Sequence, residues 1–327
     1  MKQVRKNAKT RRVILSNRRR QTKRSMPGTN PTHFAKMNCS PAVKGLTPVK
    51  DSCITIPILI QLRDYYNTKY PNSRITSDEP NVIWNELKDN MEKTKQCYKE
   101  DCWLNLIDIY NQRKTIDDYL FAPDQPASWK KNPHAWLNTT DIYKVLRQYE
   151  YRYPNFCTIR PTPIDFDTKI GGYNESSCVT AELCKFDVNE QLSQKKTKIG
   201  IVFNLDEHDE PGSHWVSLYI DLDDNFAFYM DSAGDSTPTE IKKLVERIQE
   251  QCLMVNKKIK FYENHPMQHQ YGSTECGVYS LFFIITMLTG ETDMHKFKSV
   301  KQKINFFKNK RIPDKYISKF RELYFNA

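Results

Sequence analysis

The sequence predicts a protein of mixed helix and strand, preceded by a separate helical region. Three observations predict it. IPILIQLRDYYNTKY and VIWNELKDNMEKTKQCYKEDCWLNLIDIYNQ, within residues 51–130, carry apolar residues at helical spacing. HWVSLYIDL and FAFYMDS alternate across an Asp-Asp-Asn turn at 223–225, the pattern of a hairpin. The run GVYSLFFIITML, from Gly277, is unbroken and long enough for a buried helix.

The remaining elements follow in chain order. Residues 1–50 hold 14 Lys and Arg and no Asp or Glu, whereas the rest of the chain has a net charge of −3. This part is poor in aromatics and is expected to be a disordered basic tail. Its cluster of Arg18, Arg19, Arg20, Lys23 and Arg24 fits a nucleic-acid contact, a nuclear address or a solubilising tail. Residues 51–130 form the helical arm, and Pro123, Pro126 and Pro133 mark a linker. Residues 131–327 form a third unit. It opens with HAWLNTTDIYKVLRQYEYRYP, a helix capped near Asn138–Thr140 with Ile142, Val145, Leu146 and Tyr149 on one face. KIGIVFNL is a short apolar run of the kind buried in a sheet, and TPTEIKKLVERIQEQCLMV is an amphipathic helix with Thr237 as its expected N-cap. KIKFYE is a further strand.

Several classes are disfavoured. No apolar run approaches the ~20 residues needed to span a bilayer, which argues against an integral membrane protein. The apolar piece Val13-Ile14-Leu15 is too short for a secretory signal. Nine cysteines, an odd and scattered set, argue against a secreted disulfide framework and for a reducing compartment. Cys97 and Cys102 have half of a zinc-site spacing but no partner pair, and His265-x-x-x-His269 with Cys276 lacks a fourth ligand. No metal or organic cofactor is expected.

One constellation carries chemistry. Cys276 stands where polar loop gives way to the apolar run, at the positive end of the expected helix, which favours a thiolate. Such a nucleophile needs a base, and His214 is the best placed of seven histidines because it starts a strand. With a two-residue turn, Val216 faces Asp231 on the same side of the sheet as His214, whereas Asp221 points to the other face; a three-residue turn reverses this parity. An oxyanion can be met by the Cys276 N–H and by the amide of Gln270 or Gln268. Taken singly these residues are ordinary: a cysteine before an apolar helix is more often a small core residue, and Asp231-Ser232 is more often a turn.

Taken together, His214-Trp215, Asp231, Gln270 and Cys276-Gly277 resemble the Ulp1-type (SUMO protease-like) cysteine peptidases over about residues 134–327. WLNTTDI and YMDSAGDSTPTEIKKLVERI resemble the opening helix and the Asp-Ser strand end of that domain. The chain is most similar to the viral branch, the polyprotein-processing proteases of large DNA viruses such as African swine fever virus and the poxviruses, on WLNTTDIYKVLRQYEYRYPNF and the preceding arm with CWLNLIDIYNQ. Glu275 replaces the Asp usual in cellular members, which argues against a cellular deSUMOylase.

The resemblance implies an α+β, papain-like/Ulp1-like cysteine protease fold with a helical N-terminal arm, helix on one side and strands on the other. It implies a cysteine endopeptidase that cleaves viral polyprotein or virion precursors after Gly-Gly-type sites, with His214, Asp231, Cys276 and Gln270 catalytic and Trp215 walling a tunnel too narrow for side chains. The alternatives are a SUMO or ubiquitin isopeptidase and an inert nucleic-acid-binding structural protein. Expected partners are protein substrates and, through residues 1–50, nucleic acid without sequence preference. Expected locations are the virion and the assembly site in the host cytoplasm, with the nucleus open through the basic cluster.

Overall fold

Helix α1 (Ile56–Lys69) carries proline in its first turn, where the missing N–H loses no helical bond. It buries Leu59, Leu62 and Tyr66 against α2 (Pro80–Glu92), whose inward Ile83, Leu87 and Met91 recur every four residues. A 3-10 turn over Asp101–Leu106 and α3 (Tyr110–Leu120) complete the arm around the buried Trp103. The computed structural model describes residues 33–95, 97–171 and 177–327.

The arm begins earlier than expected. Met37 and Val43 are buried in the same cluster as α1 and α2, so the tail reading does not hold for residues 34–50. Their few apolar residues fall where the arm needs them, which a composition average conceals. Residues 1–32, including the arginine cluster, lie outside the described residues.

The larger unit opens with α4 (Thr139–Arg152). Asn138 and Asp141 each accept the other's backbone N–H at 3.0 Å, a reciprocal cap. Strands β1 (Phe156–Thr158) and β2 (Thr162–Pro163), a ribbon of β3 (Lys169–Ile170) with β4 (Ser177–Cys178), and short helices α5 (Ala181–Cys184) and α6 (Val188–Ser193) lead to the sheet centre. There β5 (Lys198–Asn204), β6 (Trp215–Asp221) and β7 (Phe226–Met230) run antiparallel. After α7 (Thr239–Met254), β8 (Lys260–Glu263) joins β7 in parallel, and β1 and β2 lie parallel to β5.

This sheet is covered on both faces. Val216, Leu218 and Ile220 of β6 pack with Ile241, Leu244 and Ile248 of α7, whereas Tyr219 joins the cluster of α4 and α8 (Cys276–Thr289). The alternation expected of this hairpin is not kept: β6 and β7 are apolar at nearly every position, because both faces of the sheet are buried. Helix α8 is buried from Cys276 to Leu288, the environment that a helix apolar all round demands. Each of its phenylalanines contributes roughly 1.5–3 kcal/mol by burial. Helices α9 (Val300–Asn309), α10 (Asp314–Ile317) and α11 (Phe320–Tyr324) then cover α8, and Asn326 returns the chain to the arm. Its side chain accepts from the Asn38 N–H at 2.7 Å and donates to the Ala122 carbonyl at 2.8 Å.

Two further expectations are corrected. Six cysteines form the pairs Cys39–Cys53, Cys97–Cys102 and Cys178–Cys184, which runs against a wholly reduced chain and removes Cys97 and Cys102 as metal ligands. An odd total hid these local pairs because Cys157, Cys252 and Cys276 remain free. Thr237 does not cap α7: the helix starts after Pro238, and the Thr237 hydroxyl donates to Glu263 at 2.6 Å.

Candidate active site

The hairpin sets the site. Ser217 lies opposite Met230 and Asp221 opposite Phe226, the register of the two-residue turn. His214, just before β6, and Asp231, just after β7, therefore meet at one edge of the sheet. The His214 Nε2–H donates to Asp231 Oδ1 at 2.7 Å. Asp231 is fully buried and its Oδ1 also accepts the Ala233 N–H at 2.8 Å. Asn264, itself buried, fixes the Asp231 backbone by accepting its N–H at 2.8 Å and donating to its carbonyl at 2.7 Å. Asp221 takes no part: its carboxylate holds Lys198 at 2.6 Å.

Burial by itself would depress the basicity of His214, but the Asp231 carboxylate and the Cys276 sulfur beside the ring push its pKa up to about 10. The ring is an imidazolium at neutral pH. With Nε2 engaged by Asp231, Nδ1 is the nitrogen left for the sulfur.

Cys276 is the first residue of α8 and is 2% exposed. The positive end of α8 and the His214 imidazolium therefore meet at this residue. Gly277 follows for a steric reason. A Cβ there would stand 3.2 Å from Leu137 and 3.3 Å from the Trp215 ring, so a larger residue would require one of them to give by a few tenths of an ångström at the start of α8. The Trp215 indole N–H donates to the Leu137 carbonyl at 2.9 Å, locking this contact.

Gln270 is buried, and its Oε1 accepts the Ser232 hydroxyl at 2.7 Å while its Nε2 donates one hydrogen to the Gly272 carbonyl at 2.8 Å. That leaves one amide hydrogen free. Gln268 turns instead to the Gln270 carbonyl, at 3.0 Å. A cleft of about 530 Å³ reaches Trp215. It is lined by Trp136, Leu137, Pro163, Glu207 and Gly212, and Trp136 is 45% exposed. A larger hollow of about 710 Å³, between α3 and α4, contains none of the site residues.

His265 and His269 do not converge on Cys276 as metal ligands. The His265 ring binds the Gly234 carbonyl, and both His269 nitrogens bind backbone. No group of three or more potential ligands that could hold a metal ion is found among the described residues. Sequence reasoning missed Ser232, Asn264 and Trp136. Trp136 had a signal, the tryptophan at the head of WLNTTDI, and Ser232 had the Asp-Ser strand end; Asn264 had none, because an isolated polar residue says nothing of its partner.

Known proteins share this arrangement of elements. Residues 166–319 match the Ulp1 protease family, C-terminal catalytic domain. A protein named as a thiol protease, R355 of Acanthamoeba polyphaga mimivirus, is 31% identical over 261 residues, 74% of this chain and 82% of its own length. The cysteine protease S273R of African swine fever virus is 26% identical over 252 residues, 73% of this chain and 87% of its own. The crystal structure of the ASFV pS273R protease shares the fold with a TM-score of 0.60 at 20% identity, over 90% of this chain and 97% of that one, a span that includes the arm. No helix among the described residues is long and apolar enough to cross a membrane. By its identity to the mimivirus protein over most of that protein's length, and by its matched catalytic domain, this chain belongs to the Ulp1 protease family and is a cysteine peptidase.

Proposed function

We propose that the chain is an endopeptidase that cleaves viral structural precursors after Gly-Gly-type sites, with Cys276 as nucleophile. The observation that carries this reading is the imidazolium of His214, held by buried Asp231 beside a cysteine at a helix start. The Cys276 sulfur attacks the scissile carbonyl carbon, forming the C–S bond. The carbonyl oxygen becomes an oxyanion, met by the Cys276 N–H and the free hydrogen of the Gln270 amide. As the C–N bond breaks, His214 gives its proton to the leaving amine. Water then attacks the thioester, losing a proton to His214, and the thiolate departs. Trp136 and Trp215 share the cleft that adjoins this centre, and close walls select glycine, which has no Cβ to pass between them.

Cys276→Ala is expected to abolish cleavage of Gly-Gly-X peptides drawn from virion precursors while the fold is kept. Turnover comparable to wild type overturns the proposal. A second reading has a specific support: an African swine fever virus relative carries the name SUMO-1 cysteine protease. Efficient cleavage of SUMO or ubiquitin conjugates alone, in a panel that includes the peptides, makes the chain an isopeptidase with the same chemistry. The basic N-terminus is proposed to hold nucleic acid by phosphate contacts, keeping the enzyme at the virion assembly site in the host cytoplasm. Because residues 34–50 belong to the arm, the comparison is between the full chain and one starting at residue 33. Equal DNA affinity of the two at ~150 mM salt removes the tail from the account.

A further inference from the structure

The loop from His269 to Glu275 carries the Gln270 amide and leads into the Cys276 N–H, yet it has no regular secondary structure. Its shape is set from outside, largely by the segment Phe307–Arg321. His269, fully buried, donates from Nε2 to the Phe307 carbonyl at 2.9 Å and accepts the Ile312 N–H on Nδ1 at 3.1 Å. Asp314 holds the middle of the loop. Its Oδ2 accepts the N–H groups of Tyr271 at 3.0 Å and Gly272 at 3.1 Å, and its Oδ1 accepts the Tyr279 hydroxyl at 3.1 Å. Arg321 holds the far end. Its Nε donates to Glu275 Oε2 at 2.8 Å and its Nη2 to the Thr274 carbonyl at 2.8 Å. A third nitrogen, Nη1, donates to the Ala135 carbonyl at 2.9 Å, and the guanidinium lies 4.6 Å from the centre of the Trp129 ring. Arg321 is 6% exposed and Glu275 4%, so neither charge has water as an alternative partner.

We propose that Phe307–Arg321 is a clamp that holds the oxyanion loop in its catalytic shape, with Asp314 and Arg321 as its positioning residues. The inference rests on the oxyanion role given to Gln270 and the Cys276 N–H above. The coupling is traceable bond by bond. Asp314 fixes the Gly272 peptide through its N–H, and the carbonyl of that same residue takes one hydrogen of the Gln270 amide. Ser232, next to Asp231, fixes the amide oxygen. With the amide oxygen engaged by Ser232 and one amide hydrogen by Gly272, the remaining hydrogen has one direction to point. Arg321 acts at the other donor: it pins Thr274 and Glu275, the two residues that deliver the Cys276 N–H. Glu275 has a use here that its position one residue before the nucleophile did not disclose. It is the internal counter-ion of the arginine.

A misplacement of about 1 Å at such donors is enough to reduce turnover roughly 10²-fold. The test separates donor placement from nucleophile activation. Asp314→Ala and Arg321→Lys are measured for kcat and KM on a Gly-Gly-X peptide, and for the alkylation rate of Cys276 by a small haloacetamide, a displacement at saturated carbon that develops no oxyanion. The expected result is a fall in kcat of roughly 10–10²-fold with KM within about threefold and alkylation within about threefold of wild type. A merely structural lesion slows both reactions together, and that result overturns the proposal. A double-mutant cycle gives the second arm. Combined with Gln270→Ala, Asp314→Ala is expected to add little, because its effect passes through that amide. Losses that multiply in full overturn the route through Gly272. Gln270→Ala turning over at the wild-type rate overturns the oxyanion reading itself, whereas a slow Gln270→Ala beside an unimpaired Asp314→Ala overturns the clamp alone.

Discussion

His214 is largely and His269 fully withdrawn from water, and they titrate in opposite directions. His214, on the hairpin edge, is raised to about 10. His269, in the loop before Cys276, is lowered to about 4, first by burial and further by the nearby Arg311. Burial penalises an imidazolium at either place. The difference is the partner. Asp231 supplies a buried carboxylate to His214, whereas His269 finds only the Phe307 carbonyl and the Ile312 N–H. The first ring is a charged proton donor poised beside a sulfur. The second is a neutral strut, donor on one nitrogen and acceptor on the other. The histidine that meets Cys276 is therefore not identified by distance along the chain: His269 is seven residues from Cys276 and His214 sixty-two.

The largest effect expected from breaking this contrast is at Asp231. Asp231→Ala leaves His214 without orientation or counter-charge, and turnover is expected to fall roughly 10³–10⁴-fold. Asp231→Asn keeps a partner for Nε2 but removes the charge. Its loss is expected to be smaller, and the alkaline limb of kcat/KM, placed near pH 10 by His214 in the wild type, is expected to move down. An unchanged alkaline limb in Asp231→Asn assigns that limb to another group.

A smaller effect appears in stability, with opposite signs at the two sites. The folded value of His214 is about 10, above its ordinary 6.5, so its contribution is complete below pH 6.5 and is lost as pH rises through about 10. The folded value of His269 is about 4, below 6.5, so its contribution is present above pH 6.5 and is lost as pH falls through about 4. Each is on the order of a few kcal/mol. Urea midpoints across pH check this. His269→Asn is expected to flatten the acid side of the curve and leave the alkaline side alone; an unaltered acid side contradicts the assignment.

The hairpin half of the site was legible in the sequence because it is local. A two-residue turn fixes a register, and the register decides which of Asp221 and Asp231 shares an edge with His214. Helix α8 was legible because an apolar run of that length has few other fates. The loop half was legible only as a list of polar residues. What orders it comes from 42 to 46 residues further along, in Asp314 and Arg321, and no spacing rule connects them. The same limit hid the folded stretch 34–50, whose Met37 and Val43 matter only once the arm surrounds them. It also hid the disulfides, which depend on backbone approach rather than on count.

Three thiols are free, and their surroundings differ as those of the two histidines do. Burial pushes Cys157 up to about 12 and raises Cys252 as well, whereas Cys276 alone stands beside an imidazolium at a helix start. Labelling the full chain at pH 7 with a substoichiometric haloacetamide, and locating the label by peptide mass, therefore tests the central claim most directly. The account predicts label on Cys276, with peptide cleavage lost in proportion to its occupancy. Label on Cys157 or Cys252 with Cys276 untouched, or full cleavage by a chain fully labelled at Cys276, would contradict it.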